Sequence, residues 1–238
     1  MIYKKSGFIS GGLIGADTNL SVMGAFRIVE DAVTEMMAQL KIDGLTAKRL
    51  YNAMWVLVKN RIKIIKPLAW GESYTVECFI TAVSIVKLNI EIAVKRADGE
   101  IAAYAKVELC ALDLSTGRIR KTSTVGLDES FVKEPSLMQI EFTKFDDTEL
   151  PHIESVTVRS TNIDFSHHTN NVEYVRFVLN TYTLEQLLNT PVKEIEVCYV
   201  SQSYEGDELQ ICKSTNGNKD TVVIEKDGAT VLRCEILR

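Results

Sequence analysis

Apolar residues recur every three to four positions over 22–42, at Phe26, Val29, Val33, Met36, Met37 and Leu40, and this spacing predicts a long amphipathic helix with one buried stripe. Gly44 reads as its stop. A short strand over 3–9 and the turn Gly11-Gly12-Leu13-Ile14-Gly15 precede it. That turn lacks the lysine and spacing of a phosphate loop, so a flexible connection is its expected role. β-Branched apolar runs follow over 54–65, 74–83, 86–94 and 101–112. Pro67 and Gly71 separate the first two, and an Asp98-Gly99 hairpin turn separates the last two.

The second half repeats this order. A strand over 155–161 leads to a polar segment and a helix over 172–188, which Asn189-Thr190-Pro191 ends. Strands are expected over 192–200, 208–214, 221–225 and 230–237, with hairpin turns at Asn216-Gly217 and Asp227-Gly228. Each helix needs a sheet to cover its apolar face, so two copies of one unit predict an α+β tandem duplication. The expected division is 1–120, a connector over 121–150, and 151–238. The connector is polar, with Pro135 and the acidic residues Asp146, Asp147 and Glu149. Asp17-Thr18-Asn19-Leu20-Ser21 precedes the first helix much as Asp164-Phe165-Ser166-His167-His168 precedes the second, and only the second copy carries histidine.

A chain of 238 residues is long enough to bury a sizeable core. Its formal net charge of -5 argues against a nucleic-acid surface. No run approaches the roughly 18 apolar residues of a membrane span, and Met1 to Lys5 lead into no signal-peptide core, so a cytoplasmic protein is expected. Five cysteines without a CxxC pair point to neither a zinc site nor a disulfide frame. They read as small buried hydrophobes, and no metal or other cofactor is implied.

The chemistry concentrates between Asn162 and Tyr174, where ionisable and hydrogen-bonding side chains stand directly before the second helix. Asn170 or Asn171 is a good cap, and a helix N-terminus offers free N–H groups to a carbonyl oxygen gaining negative charge. His168 can polarise water or donate to that carbonyl, with Asp164 holding its other ring nitrogen. Ser166 as a nucleophile is disfavoured, because no Gly-x-Ser-x-Gly elbow surrounds it. The plainer uses are solvent-exposed capping for His167 and His168 and a turn cap for Asp164.

The pattern Asp164-x-Ser166-x-His168-x-Asn170-Asn171-Val172-x-Tyr174 resembles the active-site segment of the acyl-acyl-carrier-protein thioesterases of plants and bacteria, Asp-x-Asn-x-His-x-Asn-Asn-x-x-Tyr. Trp55-Val56-Leu57, Pro67-Leu68-Ala69-Trp70, Asp98-Gly99, Leu112-Asp113, Tyr199 and Gly206-Asp207 also fit the family. Ser166 stands for the family's asparagine, Gln202 for its acid, and Ser203 for the cysteine of plant members. The resemblance implies a tandem (double) hotdog whose first unit takes the acyl chain and whose second is catalytic. It implies hydrolysis of acyl-[acyl-carrier-protein] by water, with Asp164, Ser166, His168 and Gln202 at the catalytic positions. Asn170, Asn171, Trp55 and Met36 are the substrate-binding candidates. Acyl carrier proteins are acidic, so Arg61, Lys63, Lys66, Lys87, Lys95 and Arg96 are candidates to receive one. An acyl-coenzyme A thioesterase and a catalytically weakened acyl-binding hotdog are the alternatives. Exposed sheet edges make a homodimer an expectation.

Overall fold

A computed structural model describes residues 2–132, 141–145 and 149–238. Pro135, Asp146 and Asp147 of the expected connector lie outside them. The chain divides into two units, Met1–Glu141 and Phe142–Arg238. The expected α+β architecture forms, with an antiparallel sheet and helices in each half, but only the first half has a long helix.

The first unit starts with β1 (Tyr3–Phe8), α1 (Val22–Gln39) and α2 (Gly44–Tyr51). The strands β2 (Ala53–Ile64), β3 (Ser73–Val83), β4 (Leu88–Arg96), β5 (Ile101–Asp113) and β6 (Ile119–Arg120) follow. The sheet runs β1-β3-β4-β5-β2, every pair antiparallel, with β6 on β5. α1 lies over β1, β3 and β4. Phe26, Val29, Val33, Met36 and Met37 of the expected stripe are buried, joined by Ile28, while Leu40 at the C-cap is only half-buried.

Gly44 is not a helix stop. α1 ends at its C-cap Leu40, before the left-handed Lys41 (φ 58°). Asp43 then accepts from the N–H groups of Leu45 and Thr46 and caps α2, a helix absent from the hydrophobic pattern because only Ala47 of it is buried. The first half of the expected connector belongs to this unit. Val125 and Leu127 are buried around a short 3-10 turn, Thr122–Val125, since apolar side chains in a polar segment still seek cover.

The second unit holds β7 (His152–Thr157), α3 (Asn171–Leu179), α4 (Leu184–Asn189), β8 (Glu194–Tyr199), β9 (Glu208–Asn216), β10 (Lys219–Lys226) and β11 (Ala229–Leu237). Its strand order is β8-β11-β10-β9-β7, again antiparallel. The single helix expected over 172–188 is broken in two. Thr183 accepts from the Gln186 N–H while the Gln186 side chain accepts from the Thr183 N–H, a capping box that starts α4 afresh.

One buried ionic cluster closes this unit. Asp220, 0% exposed, accepts from Tyr182 Oη and Arg238 Nε at 2.8 Å each and from the Thr215 hydroxyl. Lys213 Nζ sits 3.3 Å from the Tyr182 ring centroid. Burial pushes the Asp220 carboxyl up, but the bonds from Thr215 and Tyr182 and the charges of Lys213 and Arg238 outweigh it and leave it below the usual carboxylate range. A depressed carboxyl stabilises the fold above its unfolded pKa of about 3.9 and loses that contribution as pH falls through it. Melting temperature should therefore fall from about pH 5 downward less steeply in Asp220→Asn than in the native protein. Equal slopes in a pH series of melts would refute this.

The glycine-rich turn is packed rather than free. A Cβ on Gly24 in α1 would stand 2.1 Å from the Leu13 carbonyl oxygen. Gly24→Ala should destabilise by about 1–3 kcal/mol, read as a lowered midpoint in urea unfolding.

Candidate functional site

Residues 163–170 form a closed loop at the start of α3. The Asp164 N–H donates to the His168 carbonyl at 2.9 Å and the His167 N–H to the Asp164 carbonyl at 3.1 Å, and Ile163 bridges Thr169. Turning the chain this tightly places His167 in the left-handed region, φ 65°. Asn170 is the helix cap, its Oδ1 accepting from the Val172 N–H at 2.8 Å, as expected of one of the two asparagines.

Inside this loop three side chains line up. Asp164 Oδ1 accepts from the Ser166 N–H at 2.8 Å and from the Ser166 hydroxyl at 2.5 Å, and Ser166 Oγ lies 3.2 Å from His168 Nδ1. Ser166 thus stands between the acid and the imidazole, where the sequence suggested a direct Asp164 contact. A carboxylate only accepts, so the serine hydrogen goes to Asp164 and the serine lone pair faces the ring. That order puts the ring proton on Nδ1 and leaves Nε2 as the basic nitrogen. In this order the imidazole is not the base for the serine, since the ring nitrogen that faces Ser166 Oγ carries a proton. All three side chains are half-buried, while Phe165 is 92% exposed.

The segment after β8 is fastened against this loop by hydroxyl groups. The Thr169 N–H donates to the Ser203 carbonyl at 2.9 Å. Ser203 Oγ lies 2.7 Å from both Thr169 Oγ1 and Tyr174 Oη, and the Ser203 N–H donates to Tyr174 Oη at 3.0 Å. Thr169, Tyr174 and Ser203 are all buried. Burial pushes the Tyr174 hydroxyl pKa up, with the Ser203 and Thr169 contacts opposing. Next in the chain, Tyr204 meets the His168 ring edge-on with centroids 5.1 Å apart. Asp207 accepts from the Tyr204 N–H at 2.8 Å and from Lys226 Nζ at 2.6 Å. Burial raises the Asp207 carboxyl, and the Lys226 and Tyr204 bonds bring it below its ordinary value. Gln202 therefore sits on a fixed backbone beside the loop, exposed, and no described side chain bonds to it.

Two expected oxyanion donors reduce to one. The Asn170 N–H is spent on the Asn162 carbonyl at 2.8 Å, whereas Asn171 holds the first helical position, whose N–H has no acceptor within the helix. Trp55 and Met36, in the first unit, are not part of this constellation. The Trp55 indole donates to the Ile42 carbonyl at 2.7 Å and packs on Ala53, Ala111 and Val125, while Met36 lies in the core stripe of α1. Most of the expected cationic patch is neutralised at home. Lys66 pairs with Glu100, Lys87 with Glu108, Lys95 with Glu77 and Arg96 with Glu72, and Arg61 donates to the Glu141 carbonyl. Among the described residues no acidic, histidine or cysteine cluster of metal-binding geometry occurs, and no helix is long and apolar enough to cross a membrane.

The first unit carries the same loop without the chemistry. There the Gly15 N–H donates to the Asn19 carbonyl, the Thr18 N–H to the Gly15 carbonyl, Thr18 has φ 62°, Ile14 bridges Leu20, and Ser21 caps α1. Main-chain bonding thus equates Gly15, Asp17 and Asn19 with Asp164, Ser166 and His168, two residues away from the alignment the letters suggest. The Leu20 N–H donates to the Leu68 carbonyl as Thr169 does to Ser203, and Glu72 with Arg96 repeats Asp207 with Lys226. Where the second unit has Thr169 and Ser203, the first has buried Leu20 and Leu68. Sequence reasoning missed this hydroxyl cluster and Tyr204, although Tyr174 and Ser203 stood at motif positions; their meeting depends on tertiary proximity.

Two hotdog units in tandem, one bearing an acid–serine–histidine chain at a helix N-terminus, define a double-hotdog protein. Residues 146–235 match the acyl-ACP thioesterase C-terminal domain family. The chain is 22% identical over 187 residues to the chloroplastic oleoyl-acyl carrier protein thioesterase of Coriandrum sativum, covering 74% of this chain and 51% of the relative. It is 22% identical over 201 residues to the chloroplastic dodecanoyl-[acyl-carrier-protein] hydrolase of Umbellularia californica, covering 76% and 51%. The chain spans about half the length of these curated relatives. Its fold superposes on an acyl-ACP thioesterase from Bacteroides thetaiotaomicron with a TM-score of 0.92 at 18% identity, covering 99% of this chain and 97% of that one. The 12:0-ACP thioesterase from Umbellularia californica gives 0.86 at 18% identity, covering 99% and 96%. The match to the acyl-ACP thioesterase family is thus a match of the second unit, and the solved structures extend the likeness of fold to the whole chain.

Ser203→Ala removes a buried hydroxyl and leaves Thr169 and Tyr174 short of a partner, which should cost about 1–3 kcal/mol. Replacing all three by the apolar residues of the first unit's type should cost less than the sum of single changes, as a mutant cycle by chemical unfolding would show.

Proposed function

We propose that the protein hydrolyses acyl-[acyl-carrier-protein] to free fatty acid and carrier protein. The observation that carries this is the Asp164–Ser166–His168 chain at the α3 N-terminus, inside the region that matches the thioesterase family. His168 Nε2 takes a proton from water as the oxygen attacks the thioester carbon. Asp164, acting through Ser166, stabilises the imidazolium that results, and the Asn171 N–H receives the developing oxyanion. Collapse of the tetrahedral intermediate expels the phosphopantetheine thiolate, which His168 reprotonates. Gln202 carries no charge and serves to orient water or substrate rather than to accept a proton.

The acyl chain occupies the first unit, the carrier protein approaches the second, and no cofactor takes part. The protein works in the cytoplasm in this reading, and a homodimer remains an expectation from its sheet edges. The same chemistry serves a coenzyme A thioester, so the carrier has to be tested directly.

Purified protein given matched acyl chains on acyl carrier protein and on coenzyme A should release free thiol faster from the former. His168→Ala should lower that rate about 100-fold or more, and Ser166→Ala by a smaller factor. Ser166→Asn, which installs the family's amide, should keep the activity. Native rates in His168→Ala would remove the histidine from the mechanism. Tight acyl-thioester binding without turnover would favour the acyl-binding alternative, and Ser166→Asn with Gln202→Glu should then revive hydrolysis.

A further inference from the structure

The face of the first sheet that α1 packs against extends beyond the helix. Tyr3 bonds Glu35 of α1 through its hydroxyl, so Tyr3 marks that face. Register carries the face across the sheet, from Tyr3 to Cys78, Ile92, Ala105 and Ile62 in turn. α1 covers β1, β3 and β4, whereas β5 and β2 continue the same surface with small residues, Ala103 and Ala105, beside Ile62 and Val107. Asn60, two residues before Ile62 and opposite Val107, points to this side as well.

Asn60 is out of place there. It is 1% exposed, its neighbours in register are apolar, and its Oδ1 has no hydrogen-bond partner among the described residues. Asn89 and Arg96 also hold a buried polar atom without a hydrogen-bond partner, but Asn89 is only half-buried and Arg96 Nε lies 3.8 Å from a Glu100 carboxylate oxygen. An amide acceptor left unpaired inside an apolar wall is expensive, and a hydroxyl-bearing ligand would remove that cost.

We infer that Asn60 reads a hydroxyl group on the acyl chain, so that the first unit selects hydroxyacyl over unsubstituted substrates. A hydroxyl both donates and accepts, and so satisfies the amide whichever way round it lies. A ketone would serve only the Nδ2 edge. Ala103 and Ala105 present only methyl groups on this stretch of the face, and the Asn60 amide beside them can tell a polar chain carbon from a methylene. A site built to bond a hydroxyl discriminates strongly against the analogue without it, far more than an apolar pocket discriminates between lengths. The inference rests on the first unit being the acyl groove of the proposed thioesterase.

The test takes one acyl length, unsubstituted or monohydroxylated at successive carbons, as carrier-protein thioesters for kcat/KM and as free acids for Kd by calorimetry. At one hydroxyl position the native protein should prefer the hydroxylated chain by about 10-fold or more in both measurements. Asn60→Leu should abolish the preference and raise affinity for the unsubstituted chain. No preference at any position in the native protein overturns the inference without needing the variant to fold, and shows that Asn60 meets an internal water. An unchanged ratio in a folded Asn60→Leu overturns it too. Hydroxyl-selective binding of the free acids without any thioester hydrolysis would sustain the role of Asn60 and sink the thioesterase reading, so the two fail separately.

Discussion

The site depends on a main-chain constraint, the closure of residues 163–170 by the Asp164 N–H to His168 carbonyl bond and by the Asn170 cap. Without that closure Asp164 and His168, four residues apart, would point in unrelated directions. With it, side chains at alternate positions converge on one side of the loop, and Ser166 falls between them at hydrogen-bonding distance from both. The cap also points the start of α3 at the same region, so the imidazole and a helix-terminal N–H come from one local structure.

The first unit shows that this closure does not depend on the acid, serine and histidine: the loop forms there with glycine, aspartate and asparagine at the three positions. What the second unit adds is directional bonding. Leu20 and Leu68 share the main-chain bond but add no side-chain hydrogen bond, whereas the hydroxyls of Thr169, Ser203 and Tyr174 hold one geometry. That rigidity reaches Tyr204 and, through it, the edge of His168. Hydrogen-bonded side chains at one loop and apolar packing at its counterpart are two uses of the same fold.

Charges in the first unit illustrate a second balance. Its sheet carries lysines and arginines that look free along the chain, yet Lys87, Lys95 and Arg96 each meet a glutamate on a neighbouring strand or adjoining turn. Cross-strand pairing of opposite charges is an ordinary way to stabilise an exposed sheet face, and it consumes the cations a partner would need.

The sequence by itself determined the unit count, the order of elements and the residues of the candidate loop, because hydrophobic period, hairpin turns and helix caps are local signals. It misjudged Gly44 and the length of the second helix, where Asp43 and Thr183 start new helices by bonds that apolar periodicity does not register. Tertiary structure alone decided that Ser166 lies between Asp164 and His168, that the Asn170 N–H is already spent, and that Ser203 and Tyr204 reach the loop. Those facts depend on distances between residues far apart in the chain or on side-chain directions within a turn, and neither is written in the order of letters.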